Sequence, residues 1–137
     1  TPSGSLWLGR RSETKSTDPG RLDNIAAGGI SADEAPWVCA KRELWEEAGV
    51  PAQLADRVEP IGRIHMRRPL AGRGFHDEQL FIYDLELPAN FVPTNHDGEV
   101  SGFIEISLAE AAARILADEF TSDAAFVTAD YILRRNK

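Results

Sequence analysis

Three glutamates on one segment constrain this chain more than any other feature of its sequence. Glu43, Glu46 and Glu47 stand at i, i+3 and i+4, so in a helix they project from one face. Carboxylates crowded in this way repel one another and have raised pKa values unless a cation neutralises them. Mg²⁺ and Mn²⁺ prefer oxygen ligands, so the pattern favours a metal-binding helix. Taken alone, the triplet leaves a solvated acidic face as the alternative.

Local signals predict where this helix begins and ends. Ser31 or Asp33 is a suitable cap, Pro36 falls in the first turn, and Gly49 followed by Pro51 ends the helix. We therefore expect a helix from about Asp33 to residue 48. Its apolar stripe has a spacing of three to four residues, predicted to face a core, and consists of Trp37, Ala40, Leu44 and Ala48.

Short strands and polar loops are predicted on both sides of this helix. Residues 6–8 read as a strand that enters a polar loop over 12–20, and the apolar run 25–30 reads as a brief strand ending at glycines. Alternating and β-branched residues predict two longer strands over 58–66 and 79–87. A glycine-rich turn between them predicts a hairpin.

The last third of the chain predicts a loop, a strand and two helices. Residues 88–98 contain two prolines and several Asn, Asp and Gly residues, which indicates a loop before a strand over 99–106. Ser107 with Glu110 three residues later matches a capping box, which opens a helix to about residue 117. The final helix has an apolar stripe and a basic last turn, and its candidate caps are Thr121, Ser122 and Asp123.

Composition narrows the class of protein. The 137 residues carry 15 Lys plus Arg against 22 Asp plus Glu, a net charge of −7, and contain one Cys. The acidic balance argues against nucleic acid or an anionic membrane as a partner, because phosphate backbones require clustered basic residues. No apolar run approaches the roughly 18 residues of a membrane span. One cysteine forms no internal disulfide, so we expect a reducing, cytoplasmic setting.

The residues around the glutamate triplet complete a longer pattern, which is identified as a Nudix box. It begins at Gly28 and ends at Val50, and its remaining fixed positions are Glu34, Arg42-Glu43-Leu44, Glu46-Glu47 and Gly49. The resemblance implies an α/β fold of the α+β type, a mixed β-sheet sandwiched between helices. It also implies that the domain hydrolyses diphosphates with Mg²⁺ or Mn²⁺, by attack of water at phosphorus.

The resemblance assigns a role to each residue of the box. Glu43, Glu46 and Glu47 carry over as catalytic residues and metal ligands. Gly28 and Gly49 carry over as backbone turns of the motif.

Three further acidic or basic residues are expected near the metal site. By the same resemblance, Glu34 and Arg42 brace the loop through an ion pair. Glu99 opens a strand at which many Nudix enzymes place an extra carboxylate. Three roles therefore remain as alternatives for Glu99: a metal ligand, a general base, or a residue that braces the loop.

Residues for binding the substrate are expected on the strand–loop segment before the box. Arg10, Arg11 and Lys15 are candidates for phosphate oxygens, and Gly28 lets a ligand approach the backbone. Phe75, on a loop near glycines, is a candidate for recognising a flat ring. We expect the partner to be a small-molecule diphosphate.

Resemblance beyond the box narrows the substrate. Residues 15–24, KSTDPGRLDN, followed by Ala27-Gly28-Gly29, are similar to the Nudix group related to the C-terminal domain of fungal thiamine pyrophosphokinase. Members of that group hydrolyse thiamine diphosphate and its damaged oxy and oxo forms to monophosphates. The group often has a separate N-terminal domain, so we expect residues 1–137 to be one Nudix domain that lacks such a segment. A homodimer is also expected, slightly ahead of a monomer.

Three other functions remain as alternatives. One is a pyrophosphatase acting on ADP-ribose or another nucleoside diphosphate derivative. A second is an isopentenyl diphosphate isomerase, which shares the fold but needs a Cys directly after the position of Asn24. This chain has Ile25 there, which disfavours the isomerase. The only thiol of the chain, Cys39, lies inside the box helix and is expected to be buried. A catalytically inactive, nucleotide-binding domain is disfavoured by the complete glutamate set.

Overall fold

The computed structural model describes residues 1–136 of the chain. Its elements follow one another as strands, helices and a hairpin in this order: β1 (Leu6–Arg11), β2 (Leu22–Asn24), α1 (Pro36–Ala48), α2 (Ala52–Ala55), β3 (Glu59–Leu70), β4 (Gly74–Asp84), β5 (Val100–Ile106), α3 (Leu108–Leu116) and α4 (Ser122–Arg135). No helix within the described residues is both long and apolar enough to cross a membrane.

A three-stranded sheet in the order β2-β1-β5 forms the centre of the fold. Both pairings are antiparallel, and a separate parallel bridge joins Leu22 to Phe120. One face packs on α3 and α4 through Leu8, Leu22 and Phe120, and the other packs on α1 and α2 through Trp7 and Leu44. Helices therefore cover both faces of the sheet, as the α+β prediction requires.

The predicted hairpin is confirmed and is longer than expected. Strands β3 and β4 pair antiparallel from Glu59 with Asp84 to Leu70 with Gly74. Arg134 of α4 donates to both carboxylate oxygens of Asp84 at 2.7 and 3.0 Å, which ties the base of the hairpin to the body of the protein.

Two of the predicted helix caps are confirmed. The Ser107 hydroxyl accepts a hydrogen bond from the Glu110 backbone N–H at 3.1 Å, and the Thr121 hydroxyl accepts one from the Ala124 N–H at 3.3 Å. Each cap satisfies a backbone donor that has no partner inside its helix. The sequence therefore placed the start of α3 at its cap, and the structure selects Thr121 among the three candidate caps of α4.

The start of α1 differs from the prediction. The helix begins at Pro36 with Ala35 as its cap and no side-chain cap. Asp33 has a positive φ of 64°, which is incompatible with a helix, and the Ser31 N–H instead donates to the Glu34 carboxylate. Proline is suited to the first helical position, because its missing N–H would have no partner inside the helix there and its fixed φ matches the helix.

The predicted strand over 25–30 is wrong, because these residues have no ladder partner. Strand β2 ends at Asn24, and the backbone polar groups beyond it form hydrogen bonds with side chains of α1. The Ala27 N–H donates to the Glu47 carboxylate at 2.8 Å, and the Cys39 thiol lies 3.5 Å from the Gly29 carbonyl oxygen. The short helix α2 was also not predicted.

Trp37 is not part of the core, although the helical spacing predicted that it would be. It is 53% exposed, whereas Leu44 and Ala48 of the same stripe are buried. The ammonium group of Lys41 lies 4.5 Å from the centroid of the Trp37 ring. The first turn of α1 is thus more exposed than the end that carries the glutamates.

Candidate functional site

The C-terminal end of α1 is joined to the loop that precedes β5. Backbone N–H groups of Thr94 and His96 donate to the carbonyl oxygens of Ala48 and Glu46 at 3.0 and 2.8 Å. Gly49 permits this contact, because it has a positive φ of 64° and a Cβ there would lie 2.8 Å from the Thr94 oxygen. The loop therefore satisfies helix-end carbonyls that have no partner in the helix.

Asn95 fixes the conformation of this loop. Its side-chain N–H donates to the Glu47 carbonyl oxygen at 3.0 Å and to the Asp97 carboxylate at 2.8 Å. Its side-chain oxygen accepts a hydrogen bond from the Gly98 N–H at 2.6 Å. The Glu99 N–H donates to the same Asp97 oxygen at 2.8 Å. The Asn95 amide therefore connects α1 to Asp97, and Asp97 in turn binds the Glu99 backbone.

Three carboxylates meet where α1 and the loop join. One oxygen from each of Glu47, Asp97 and Glu99 lies within 4.8 Å of the other two. A divalent cation held by three carboxylate oxygens requires this kind of convergence, and an all-oxygen donor set suits Mg²⁺ or Mn²⁺ better than a softer metal. The residues present therefore fit the metal that the glutamate pattern implies.

Glu47 is the buried member of this group. Only 7% of its surface is exposed, and it accepts the Ala27 N–H described above. Burial raises the pKa of Glu47 to about 8, and the nearby negative charges of Glu43, Asp23 and Asp97 add to the effect. A buried carboxylate among like charges is the group that gains most from a bound cation.

The other two glutamates of the triplet are held by Arg42. Its Nη1 donates to Glu43 at 2.6 Å and to Glu46 at 3.1 Å, while its Nε and Nη2 donate to the two oxygens of Glu34 at 2.9 and 3.1 Å. This contact lowers the pKa of Glu34 to about 2. Glu43 has a raised pKa because it is largely buried. Arg42 thus connects the loop before α1 to two predicted ligands.

Gly28 lies directly against Glu43. A Cβ on Gly28 would fall 2.0 Å from the Glu43 carboxylate oxygen, whereas one on the neighbouring Gly29 would meet no atom within 4 Å. Cys39 is buried beside the same backbone, as expected of a reduced thiol in the helix. The space at Gly28 is therefore required by the carboxylate that packs on it.

The predicted phosphate ligands already have protein partners. Arg10 donates to the Gly20 carbonyl oxygen at 2.7 Å, and Arg11 pairs with Asp23 at 2.9 Å. Lys15 pairs with Glu99 of the carboxylate group.

Phe75, the predicted ring contact, lies at the far end of the hairpin. It is 60% exposed, and the Arg67 guanidinium lies 4.5 Å from its ring centroid. Phe75 is not among the residues that line the cleft described next.

A cleft of about 1170 Å³ runs beside the box region. Gly28 and Glu43 of the box line it, and its other lining residues include Trp7, Tyr83 and Tyr131. Arg11 also lines the cleft. A space of this size with aromatic and polar walls suits a small organic ligand.

The fold combines a three-stranded sheet between helices with a loop–helix–loop segment that carries clustered carboxylates. Residues 1–129 match the family described as NUDIX domain, and the chain belongs to this family.

Relatives in plants and bacteria support the assignment. The chain is 40% identical over 130 residues to Nudix hydrolase 24, chloroplastic, of Arabidopsis thaliana, covering 94% of this chain and 35% of that protein. It is 31% identical to the uncharacterized Nudix hydrolase YfcD of Shigella flexneri, covering 98% and 68%. The chain thus spans about a third of the length of its plant relative.

A solved structure shows the same architecture. The crystal structure of DR0079 from Deinococcus radiodurans has a TM-score of 0.74 and 25% identity, over 93% of this chain and 75% of that one. The Nudix fold predicted from the box is therefore confirmed.

Asp97 is the site residue that sequence reasoning missed. It lies in the loop over 88–98. The Pro, Asn and Gly content of this segment predicts a loop but gives none of its residues a functional role. The available signal is the alternation of Asn95, Asp97 and Glu99 directly before a strand, since alternate residues of an extended segment share a side. Only the pairing of this loop with α1 shows that the alternation meets Glu47.

Proposed function

We propose that this domain is a hydrolase of phosphorus-containing acid anhydrides, which cleaves a diphosphate with Mg²⁺ or Mn²⁺. The convergence of Glu47, Asp97 and Glu99 within 4.8 Å carries the proposal. Membership of the Nudix family supports it, because the predicted ligand Glu47 belongs to the box. When bound, the metal would neutralise phosphoryl oxygens and lower the pKa of a water molecule.

The protein's own groups take two roles in this proposal. Glu47, Asp97 and Glu99 would hold the cation, with Glu43 and Glu46 as the further ligands implied by the box. A carboxylate oxygen of Glu43 or Glu46 takes the proton of the attacking water. Both are hydrogen-bonded to Arg42, and Glu46 is the more accessible at 41% side-chain exposure, which suits a group that exchanges protons with solvent.

The proposed substrate is thiamine diphosphate or its damaged oxy and oxo analogues. The similarity of residues 15–24 to the thiamine-related Nudix group supports this choice. The cleft that Glu43 lines adds support, because Trp7, Tyr83 and Tyr131 line it and aromatic faces bind flat heterocycles. Arg11, which also lines the cleft, is a candidate for binding the diphosphate.

Phosphate release tests the reaction and the substrate together. The panel contains thiamine diphosphate, oxythiamine diphosphate, ADP-ribose, NADH and dGTP, each with Mg²⁺ and with EDTA. Where cleavage releases no free phosphate, the monophosphate product is detected instead. We expect Mg²⁺-dependent turnover that is highest for the thiamine compounds. A far higher kcat/KM for ADP-ribose or dGTP would refute the substrate, and no turnover of any compound would refute the reaction.

A variant of Glu47 tests whether the described site performs the reaction. Glu47→Gln keeps the shape and the contact with Ala27 but removes the charge, so we expect kcat to fall well over tenfold with the fold retained. The matched control is Glu110→Gln, an exposed glutamate of α3 that does not line the cleft, where the same change is expected to leave kcat within about twofold. Turnover of Glu47→Gln near that of the control would overturn the assignment.

We also propose a reducing location such as the cytoplasm and a homodimeric state. The single, buried and free Cys39 supports the first, although the plant relative is named chloroplastic. Exposed apolar residues on the hairpin, Phe75, Ile61 and Phe81, support the second. Localisation of a tagged full-length protein and analytical ultracentrifugation test the two proposals.

A further inference from the structure

Lys15 reaches the carboxylate site from the loop that follows β1. Its ammonium group donates to Glu99 Oε2 and forms an ion pair with it. Within residues 1–136, no other basic side chain forms an ion pair with Glu47, Asp97 or Glu99. The ammonium group is therefore the only protein cation that these three carboxylates contact in the described part of the chain.

The backbone holds Lys15 in this place. The Ser12 N–H donates to the Glu99 carbonyl oxygen at 2.9 Å, and the Lys15 N–H donates to the Ser12 carbonyl oxygen at 3.1 Å. The Arg11 guanidinium donates to the Thr17 carbonyl oxygen at 3.1 and 2.9 Å. The loop that carries Lys15 is thus fixed on both sides of the residue and joined directly to Glu99.

We propose that Lys15 is an internal counter-ion that a divalent cation displaces from Glu99, and that the freed ammonium group then binds the diphosphate. The first half concerns the metal alone. The second half rests on the proposed function, because it requires a diphosphate at this site.

Charge balance gives the reason for the exchange. When all three carboxylates are ionised they carry a charge of −3, of which the ammonium group offsets one unit. A divalent cation offsets two and contacts Glu99 directly, so the ion pair with Lys15 loses most of its electrostatic gain. A diphosphate adds new negative oxygens close by, and a lysine on a flexible stem is suited to follow them. The metal and Lys15 therefore compete for Glu99, but both bind the negative oxygens of the substrate.

Mn²⁺ binding without substrate tests the competition. Lys15→Gln removes the competing ammonium group, and Lys41→Gln is the matched control. Like Lys15, Lys41 forms one ion pair with an acidic residue, and the two side chains are similarly exposed, at 27% for Lys15 and 30% for Lys41. The two substitutions change the net charge by the same amount. By electron paramagnetic resonance titration, we expect Lys15→Gln to bind Mn²⁺ about fivefold more tightly than Lys41→Gln. Equal or weaker binding, as expected if Lys15 only braces the loop, would overturn the proposal.

Steady-state kinetics test the second half with the same variants. We expect Lys15→Gln to raise KM for the diphosphate substrate about tenfold while kcat changes less than threefold, with Lys15→Arg close to wild type in both. An unchanged KM in Lys15→Gln would refute the contact with diphosphate. The proposed hydrolase function and the competition between Lys15 and the metal fail separately. An inactive wild-type protein refutes the hydrolase, whereas the Mn²⁺ titration needs no turnover and decides the competition by itself.

Discussion

Replacing Glu47 by glutamine is expected to stabilise the metal-free protein at alkaline pH. In the folded chain the pKa of Glu47 is raised from its ordinary 4.5 to about 8, chiefly by burial. Between these two values the folded state binds more protons than the unfolded state, so the free energy of unfolding falls as pH rises. The penalty is absent below about pH 4.5 and complete above about pH 8. The side chain of the Glu47→Gln variant has no charge to bury at any pH.

The size of this effect follows from the two pKa values. The interval from 4.5 to about 8, at about 1.36 kcal/mol per pH unit, corresponds to a penalty of about 5 kcal/mol above pH 8. At pH 7 the interval is shorter and the penalty is about 3 kcal/mol. A typical domain has a free energy of unfolding of about 5–15 kcal/mol, so a penalty of this size is measurable.

Urea unfolding in EDTA at pH 5.5 and pH 8.5 measures the penalty. We expect the difference in stability between Glu47→Gln and wild type to grow by a few kcal/mol between the two pH values. The control is Glu46→Gln, whose side chain lies on the same turn of α1 but is 41% exposed, and we expect a much smaller change. Excess Mg²⁺ is expected to restore wild-type stability at pH 8.5. Equal pH dependence of wild type and Glu47→Gln in EDTA would refute the reasoning.

Three further changes test the site by other routes. Gly28→Ala places a Cβ against Glu43, so we expect at least a tenfold loss of activity; Gly29→Ala has open space and should stay within twofold. Asn95→Ala removes three hydrogen bonds, so we expect it to lower the free energy of unfolding by about 1–3 kcal/mol and weaken Mn²⁺ binding, unlike Asn90→Ala on the exposed part of the same loop. Asp97→Asn is expected to weaken Mn²⁺ binding severalfold in the same titration; unchanged binding would remove Asp97 from the ligand set.

Local patterns in the sequence predicted the elements that short-range forces control. The caps Ser107 and Thr121 depend on residues three positions apart, and the β3–β4 hairpin is closed by a short turn between adjacent strands; the structure confirms them. The prediction of a strand over 25–30 fails because hydrophobicity does not show where a backbone N–H finds its partner. Here the Ala27 N–H bonds to a side chain on another element, Glu47, instead of to a strand.

The sequence by itself determined that three glutamates lie on one helix, because the helical period places residues i, i+3 and i+4 on the same face. Only the tertiary structure decided which carboxylates meet. Glu47 converges with Asp97 and Glu99, some fifty residues away along the chain, while Glu43 and Glu46 are held by Arg42. The reason is physical: contacts between elements depend on how loops close and on which helix-end carbonyls they satisfy. At this site, hydrogen bonds from the 94–98 loop to the end of α1 make that choice.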